Sequence, residues 1–343
     1  MSPSVNRQRR ITLADVAGEA GVSVQTASHV MSGNMNVRLP EATRERVRQA
    51  AVKVGYQPNR IAQAMRMGKT HMVSVWMPVD RMVMTYLRML KEITKHSQKD
   101  GYDTMIVGLD SNFAYSAEGR TPFQWPVDGV LGADAGRAMR KFRENPANDL
   151  TPVVVLGHEV YANGDAVGWD VMGAARAATE NMLSQGAKKV IHATLPWVIA
   201  DYPREQRRRG YSEAMEAAGL EPRLVALEGE SSREVEAKAR EWIQENGAPE
   251  GVFGFTDSVA IGFARALLAE GLRVPDDCLI WGFADYPESE DFRVPISSVR
   301  VPVEEIVSTA WTWLVDRMEN SPVDSRSTSF PMHLIERDSS RGS

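Results

Sequence analysis

The chain has 343 residues, of which 43% are hydrophobic and 25% charged, a composition that predicts about two folded domains and excludes a disordered or collagen-like chain. It contains one cysteine, Cys278, and six histidines without metal-ligand spacing, so neither an internal disulfide nor a zinc module is expected, and no cofactor is predicted. No apolar stretch approaches the roughly 18 residues of a membrane helix, and the polar, basic N-terminus lacks the apolar segment of a signal peptide, which predicts a cytoplasmic protein that binds no membrane.

The charge is distributed unevenly along the chain. Residues 1–70 contain eleven basic and four acidic side chains, a net charge of +7, whereas the remainder carries −12. A basic segment attached to an acidic body predicts that the first contacts a polyanion and the second does not. A solvated basic face is the alternative that the charge alone leaves open.

The first 57 residues contain the signals of three short helices. Thr12, with Asp15 three positions later, forms a capping pair at the start of a first helix, and Gly21 supplies the left-handed residue that ends it. Ser23 is the predicted N-cap of a second helix, and a third is expected between residues 40 and 55. Two short helices joined by a tight glycine-containing turn predict a helix-turn-helix domain.

The second helix is the one that a helix-turn-helix places in the major groove of DNA. Gln25 can form a bidentate contact with adenine, and His29 can reach a base acceptor or a phosphate. Solvated polar positions are the alternative interpretation of this face. The residues predicted to contact bases or phosphates are Val24, Gln25, Thr26, Ser28 and His29.

The same segment resembles the DNA-binding head of the LacI/GalR family of transcriptional regulators. The matching stretches are Thr12-Leu-Ala-Asp-Val-Ala-Gly-Glu-Ala-Gly-Val-Ser23, Gln25 to Val30, Thr43 to Val47 and Gly55 to Gln63. The resemblance implies that the segment from Asn59 to Met65 is a hinge helix that folds on DNA and lies in the minor groove, with Met65 as an apolar wedge. The predicted DNA-binding residues therefore also include Thr12, Ser23, Thr43, Tyr56, Asn59, Arg60, Ala62, Gln63 and Met65.

Three positions depart from the pattern of this family. Met65 stands where leucine is usual, and its flexible apolar side chain suits the same wedge role. His29 stands where many members have arginine, which leaves the preferred base at that position open. The loop at residues 33–40 is longer than in the family, so its phosphate contacts are also left open.

After His71 the chain alternates between apolar runs of strand length and segments with helical spacing. Eight such runs lie between residues 72 and 283. Continuous apolar strands that alternate with helices predict an α/β fold with parallel sheets covered on both faces, and this number of strands favours two doubly wound sheets over one. Ligands bind at the carboxyl ends of such strands, where Asp257 either accepts hydrogen bonds from ligand hydroxyls or caps the following helix.

The body resembles the ligand domain of the same family, which is similar to periplasmic sugar-binding proteins. The matching motifs are Gly173 to Ala178, Arg207 to Tyr211, Thr256 to Gly262, Gly271 to Asp277, Gly282 to Asp285 and Pro295 to Val299. The resemblance implies that Arg207 and Asp257 bind a small-molecule effector. The planar fork of Arg207 suits bidentate pairing with two hydroxyls or a carboxylate. Asp285, at the end of its motif, is also predicted to contact the effector.

Two departures in the body predict an effector other than a typical hexose. Ala284 replaces the aspartate that usually follows Gly-Phe, so one polar contact is expected to be missing. No aromatic residue for sugar stacking is present between Gly229 and Ser232. Trp76 is predicted to serve instead, with Trp197 as a second candidate and core packing as the alternative for both.

The resemblance also implies the domain organisation. The expected parts are a helix-turn-helix head at 1–57, a hinge helix and linker at 58–70, a first lobe at 71–168 and 299–325, a second lobe at 169–298 and 326–337, and a disordered tail at 338–343.

These features predict a regulator, acting as a repressor, that binds a near-palindromic DNA operator as a homodimer, because two-fold protein symmetry requires two-fold DNA sites. A small molecule between the two lobes, a sugar or related metabolite, is expected to change its operator affinity. The alternative is the same DNA-binding regulator controlled mainly by a protein partner, with a vestigial ligand pocket.

Two other classes of protein fit the sequence less well. An enzyme would need a catalytic motif, and the chain has no Gly-x-Ser-x-Gly, His-Glu-x-x-His or strand-associated Gly-x-Gly-x-x-Gly. A transport binding protein would share the body but carry a signal peptide and no basic head.

Overall fold

The computed structural model describes residues 11–32, 37–57, 69–79, 84–109, 127–157, 164–201, 205–229, 231–320 and 324–341. The chain divides into two compact units. The first comprises Met1–Met72 with Gln124–Asp128, and the second comprises Val73–Phe123 with Gly129–Ser343.

The head contains α1 (Leu13–Ala20), α2 (Val24–Met31) and α3 (Glu41–Val54). The Asp15 carboxylate accepts hydrogen bonds from the N–H of Thr12 at 2.8 Å and from its hydroxyl at 2.7 Å, as the capping pair predicts. Gly21 and Gly55 follow α1 and α3 with φ angles of 61° and 68°, a conformation that glycine adopts without steric cost. The predicted helix-turn-helix is confirmed.

The three head helices share one small apolar core and two arginine contacts. Arg46 donates from Nε to the carbonyl of Ala20 at 3.0 Å, which joins α3 to the end of α1. Arg44 is buried and donates to the carbonyl of Val37 at 2.7 Å, which fixes the start of the segment leading into α3. The buried core residues are Val16, Ala17, Ala20, Ala27, Val30, Val47, Ala50 and Ala51.

The body contains two six-stranded sheets. Sheet A has the strand order β11-β5-β4-β3-β1-β2, and sheet B has the order β12-β10-β9-β8-β6-β7. The strands of sheet A are β1 (Met72–Pro78), β2 (Asp103–Leu109), β3 (Gly129–Ala133), β4 (Val153–Leu156), β5 (Asp165–Trp169) and β11 (Ser327–Phe330). The strands of sheet B are β6 (Val190–Thr194), β7 (Arg223–Ala226), β8 (Gly251–Gly254), β9 (Leu279–Phe283), β10 (Ser297–Arg300) and β12 (His333–Ile335).

The pairing within these sheets is predominantly parallel. In sheet A, β1 pairs with β3, β3 with β4, β4 with β5 and β5 with β11, all in parallel. In sheet B the neighbours from β7 to β10 are parallel, and β12 is antiparallel to β10. The predicted pair of doubly wound parallel sheets is confirmed.

Helices cover both faces of the sheets. They are α4 (Met84–Lys99), α5 (Gly136–Arg143), α6 (Val171–Ser184), α7 (Pro196–Asp201), α8 (Gln206–Ala217), α9 (Ser232–Asn246), α10 (Asp257–Ala269), α11 (Pro287–Asp291) and α12 (Val303–Glu319). α12 packs against β3, β4, β5 and α4. On sheet B, Phe253 of β8 joins the core under α6 and α8, whereas its neighbour Val252 joins the core under α9 and α10. This alternation is what a strand buried on both faces requires.

The chain crosses between the lobes later than the sequence predicts. We expected residues 299–325 in the first lobe and 326–337 in the second, but β10 lies wholly in sheet B and β11 pairs with β5 in sheet A. The buried Asp165 at the start of β5 explains the position of β11. Its carboxylate accepts from Nη2 of Arg317 at 2.7 Å and from Nη2 of Arg326 at 2.6 Å.

The expected disordered tail is ordered as far as residue 341. Residues 338–340 form a short 3₁₀ helix in which Ser339 and Ser340 are buried. Ser339 donates its hydroxyl to the carbonyl of Ile280 at 2.7 Å and accepts from the N–H of Ser297 at 2.8 Å. These bonds attach the tail to β9 and β10, since short polar residues can satisfy backbone groups that a sheet leaves unpaired.

In the described part of the chain, no helix is both long and apolar enough to cross a bilayer. Those same ranges contain no group of three or more His, Cys, Asp or Glu side chains placed to hold a metal ion.

Candidate DNA-binding helix and effector site

α2 presents one face to the solvent and buries the other. Ala27 and Val30 lie in the head core, whereas Val24 is 50% exposed and Gln25 is also exposed. His29 is half-buried one turn after Gln25 and shares its side of the helix. The exposed first turn therefore offers side chains of the type that a recognition helix presents to base edges.

Ser23 and Thr26 form the polar start of α2. The Ser23 hydroxyl accepts from the N–H of Thr26 at 3.0 Å, and the two hydroxyls lie 2.9 Å apart. This pair fixes two hydroxyls at a helix N-terminus, where the partial positive charge of the helix favours phosphate oxygens. Ser28, also predicted to contact DNA, is half-buried on the following turn.

The remaining described head residues predicted to bind DNA have different surroundings. Thr12 is exposed, but its hydroxyl is bonded to Asp15. Thr43 is half-buried in the first turn of α3, and Tyr56 packs against the head core. The other predicted contacts, Asn59, Arg60, Ala62, Gln63 and Met65, lie outside the described residues, as do residues 33–36 of the long loop.

Asp128 holds the backbone immediately before β1. One carboxylate oxygen accepts from the N–H of Thr70 at 2.7 Å and from its hydroxyl at 2.8 Å, and the other accepts from the N–H of His71 at 2.8 Å. His71 adopts a φ of 52°, which is uncommon for a residue other than glycine. Nothing in the local sequence predicts this role for Asp128, because its partners are more than fifty positions away.

Arg207 lies at the carboxyl edge of sheet B, in the first turn of α8. Its guanidinium carbon is 4.2 Å from the ring centroid of Phe255, which follows β8, and 4.2 Å from that of Phe283, which ends β9. Each ring face attracts the cation. The side chain is 21% exposed, and its Nη1 donates to Glu205 at 3.0 Å. Trp197 packs edge-on against Phe255, with ring centroids 5.8 Å apart.

Asp257 is fully buried at the start of α10. Its oxygens accept from the hydroxyl of Ser298 at 2.6 Å and from the N–H of Tyr286 at 2.7 Å. Burial raises the pKa of Asp257 to about 7, although these hydrogen bonds act in the opposite direction. Thr256 is the N-cap of α10, so Asp257 does not serve as the cap. A side chain at Gly282 would collide with the Asp257 carboxylate.

The structure accounts differently for Trp76 and Asp285. Trp76 is 3% exposed, donates to the Ser74 hydroxyl at 2.8 Å and packs edge-on against Phe142, as a core residue does. The buried Asp285 carboxylate pairs with Arg300 at 2.6 Å and Arg337 at 2.8 Å. Two of the four predicted effector contacts, Arg207 and Asp257, flank the segment that runs from the end of β9 to Tyr286. Trp76 belongs instead to the core of sheet A, and Asp285 forms ion pairs with two arginines.

Two known protein families match separate parts of the chain. Residues 12–59 match the family described as bacterial regulatory proteins, lacI family, and residues 179–340 match a periplasmic binding protein-like domain. The chain is a member of the LacI family. It is therefore a DNA-binding transcriptional regulator, and the resemblance identified in its sequence is confirmed.

This LacI-family chain is similar over nearly its whole length to regulators of known type. It is 25% identical to the ribose operon repressor of Halalkalibacterium halodurans over 96% of the chain and 97% of that protein. The CelR–cellobiose complex is 25% identical with a TM-score of 0.65, covering 96% of the chain and all of that structure. The Lac repressor dimer bound to operator shares the fold, with a TM-score of 0.76 at 19% identity, covering 97% of the chain and 99% of that structure. These relatives are transcriptional regulators and not enzymes.

The structure of this LacI-family regulator adds residues that no sequence pattern indicates. Arg88 of α4 donates to the backbone carbonyls of Ala284 at 3.4 Å and Asp285 at 2.6 Å. It thereby joins the helix beside sheet A to the loop that follows β9. Ala284 and Asp285 have φ angles of 95° and 51°, so this loop is strained as well as bonded. An open cleft lined by Arg88, Arg300, Val301, Val303 and Glu304 lies beside it.

His192 is a second residue of the LacI-family body that no sequence pattern indicates. It is fully buried in β6, its Nδ1 lies 2.9 Å from the carbonyl of Phe253, and its ring stacks on Phe253. Burial lowers the pKa of His192 to about 4, so its ring is neutral at pH 7. Strand-end aromatic residues such as Phe255 and Phe283 could have been inferred from their position, but neither Arg88 nor His192 has a local signal.

Proposed function

We propose that this LacI-family regulator is a repressor that binds a near-palindromic operator as a homodimer, and that a small molecule bound around Arg207 alters its operator affinity. The observation that carries the DNA-binding part is the outward face of α2, with Val24 and Gln25 exposed above a buried Ala27 and Val30. A Lac repressor dimer bound to operator has the same fold, which supports two-fold symmetry here.

Gln25 and His29 are proposed to contact base edges, and the hydroxyls of Ser23, Thr26 and Ser28 to contact phosphates. Val24 supplies an apolar contact at the same helix start. Thr12, Thr43 and Tyr56 are proposed to flank this surface. The hinge residues proposed to contact the minor groove are Asn59, Arg60, Ala62, Gln63 and Met65.

Effector control is proposed to act through the segment that joins the site to the first lobe. Phe283 stacks on Arg207, the next two carbonyls accept from Arg88, and the N–H of Tyr286 donates to Asp257. A ligand that contacts Arg207 therefore shares this segment with a contact between the lobes. Coupling of this kind is worth about 1–3 kcal/mol, or roughly 5–150-fold in affinity.

Control by a protein partner is the second candidate. It is favoured by the state of the two acidic residues, since Asp257 is bonded to Ser298 and Tyr286 and Asp285 is paired with two arginines. A site with no available polar group would be vestigial. Arg207 weighs against that conclusion, because its Nε has no hydrogen-bond partner among the described residues.

The test is selection of bound sequences from a random DNA pool by the purified full-length chain, followed by binding of the selected DNA with a panel of sugars, polyols and nucleosides. We expect an enriched palindrome whose binding one compound shifts. A palindrome that no compound affects would favour the protein partner. Failure to enrich any palindrome would contradict operator binding by a symmetric dimer.

A further inference from the structure

The Arg207 guanidinium contacts two aromatic rings of the protein itself. The rings of Phe255 and Phe283 each lie 4.2 Å from its central carbon. These rings supply the aromatic contacts of the cation, and the N–H bonds at its edge are the groups that a ligand can pair with. Around that edge, the N–H bonds lie in the plane of the group and favour planar or bidentate acceptors.

One part of this edge is already used. Nη1 donates to Glu205 at 3.0 Å, and the other oxygen of Glu205 accepts from the N–H of Arg208 at 2.9 Å. Glu205 is thus held in place and orients the fork. Nε, which points away from Nη1, is buried without a hydrogen-bond partner among the described residues. Leaving such a donor unsatisfied is costly, so the side formed by Nε and Nη2 calls for an acceptor.

The two carboxylates predicted to bind the effector, Asp257 and Asp285, both contact other groups of the protein. Asp257 accepts from Ser298 and Tyr286 through separate oxygens, and it is fully buried. Asp285 accepts from Arg300 through Oδ2, and its buried Oδ1 forms an ion pair with Arg337 without hydrogen-bond geometry. A neutral sugar depends on acceptors for its hydroxyl protons, and these carboxylates offer it little. Among the described residues the Arg207 Nε is an unpaired donor, and the neighbouring carboxylates already contact other groups of the protein. This arrangement suits a ligand that carries negatively charged oxygens of its own.

The Thr194 hydroxyl is a further polar group at this end of sheet B. Thr194 ends β6, next to the strand that leads to Phe255, whose N–H donates to the carbonyl of Ala193 at 2.8 Å. The Oγ1 of Thr194 is buried without a hydrogen-bond partner in the described ranges. A hydroxyl can donate to an oxyanion or accept from a sugar hydroxyl, so Thr194 is compatible with an oxyanion but does not select for it.

We infer that the effector carries an oxyanion, the carboxylate of a sugar acid or the phosphate of a sugar phosphate, and presents it to the Nε/Nη2 side of Arg207. This inference rests on the proposed function, because it assumes that the Arg207 site is the effector site. It differs from that proposal by excluding neutral sugars as the cognate ligand.

The test uses calorimetric titration of the full-length protein with two matched triples. These are glucose, glucuronate and glucose 6-phosphate, and galactose, galacturonate and galactose 6-phosphate, which differ only at the sixth carbon. We expect at least one acid to bind about tenfold or more tightly than its neutral sugar, as a charge-assisted bidentate pair requires. Whether the carboxylate or the phosphate member binds distinguishes the two sources of the oxyanion.

Two substitutions at the site give opposite expectations. Arg207→Lys keeps the charge but removes the fork, and should remove the preference for the acid. Glu205→Gln keeps an oxygen for the N–H of Arg208 and removes the competing charge, and should strengthen binding of the acid. Arg209→Gln on the same helix, where the exposed side chain lies 3.9 Å from Glu213, is the control and should change neither.

Several results would overturn the inference. One is binding of a neutral sugar that is as tight as that of its acid, or tighter. Another is binding of an acid that neither Arg207→Lys nor Glu205→Gln changes. The third is no binding of any acid at millimolar concentration. Operator binding measured on the same samples separates the two proposals. A neutral sugar that shifts operator affinity through Arg207 would contradict only the oxyanion. An acid that binds through Arg207 without affecting DNA would contradict only the proposed effector control.

Discussion

The head and the Arg207 site are built from contacts of very different range. In the head, Thr12 bonds with Asp15 and Ser23 with Thr26, each three positions apart. At the carboxyl edge of sheet B, Arg207 meets Phe255 and Phe283, which are about fifty and seventy-six positions away along the chain. A locally determined surface can evolve or be altered one residue at a time. A site assembled by sheet topology depends on everything that holds the strands in order.

The largest test of this contrast is removal of the buried carboxylate that holds β11 beside β5. Asp165→Ala removes the buried carboxylate that Arg317 and Arg326 share, and should lower the free energy of unfolding of the body by about 3 kcal/mol. Urea unfolding followed by tryptophan fluorescence measures it. The exposed Asp276, paired with Arg273 at 3.1 Å, provides the control, and Asp276→Ala should leave the midpoint nearly unchanged. Equal shifts would mean that the bonds of Asp165 to Arg317 and Arg326 do not hold the body together.

Asp257 and His192 should give sheet B two opposing pH dependences. The pKa of Asp257 is raised from 3.8 to about 7, so the folded state retains a proton and its contribution to stability declines as pH rises from about 4 to 7. The pKa of His192 is lowered from 6.5 to about 4, so its contribution declines as pH falls from about 6.5 to 4. The two effects offset each other in the unaltered chain.

Single substitutions should separate the pH dependence due to Asp257 from that due to His192. Relative to the unaltered protein, Asp257→Asn should gain stability as pH rises from 4 to 7, and His192→Phe should gain it as pH falls from 6.5 to 4. Each change should reach about 3 kcal/mol across its range. Urea midpoints measured in half-unit steps of pH provide the comparison. Variant curves that run parallel to that of the unaltered protein would show that these groups do not titrate as burial requires.

Gln25→Ala tests the local character of the head. Because the side chain is exposed at the start of α2 and is proposed to read one base pair, its loss should cost about 1–2 kcal/mol of discrimination at that position in each half-site. Binding to unrelated DNA should stay nearly the same. Gln49→Ala, on the exposed side of α3 where Gln49 donates to Glu45 at 3.0 Å, is the matched control. An equal loss on every sequence would assign Gln25 to the phosphates.

The same contrast explains what the sequence could predict. The caps of the head helices lie within a few residues of the groups that they bond, so Thr12, Gly21, Ser23 and Gly55 could be identified directly. The parallel sheets also followed from periodicity, because strands buried on both faces are continuously apolar.

The partners of the effector-site residues could not be predicted in this way. Arg207 and Asp257 were identified by resemblance, but whether Asp257 is available to a ligand depends on Ser298 and Tyr286, which sheet order brings to it. The position of β11 likewise depends on a bond between Arg326 and Asp165 across 161 positions. Local patterns contain no information about such pairs.

The smallest expected effect concerns the contact that joins the two lobes. Arg88→Met keeps an apolar stem but removes the donors to the carbonyls of Ala284 and Asp285, which lie in the segment between Phe283 and Tyr286. If a ligand at Arg207 is bound best when this contact is made, its affinity should fall by about 1 kcal/mol, or roughly fivefold, with little change in operator sequence preference. Lys91→Met, an exposed position on the same helix, controls for the lost charge. Titration of both variants with the effector measures this difference. Unchanged affinity in Arg88→Met would mean that ligand binding is independent of the contact between the lobes, and that ligand binding affects sheet B alone.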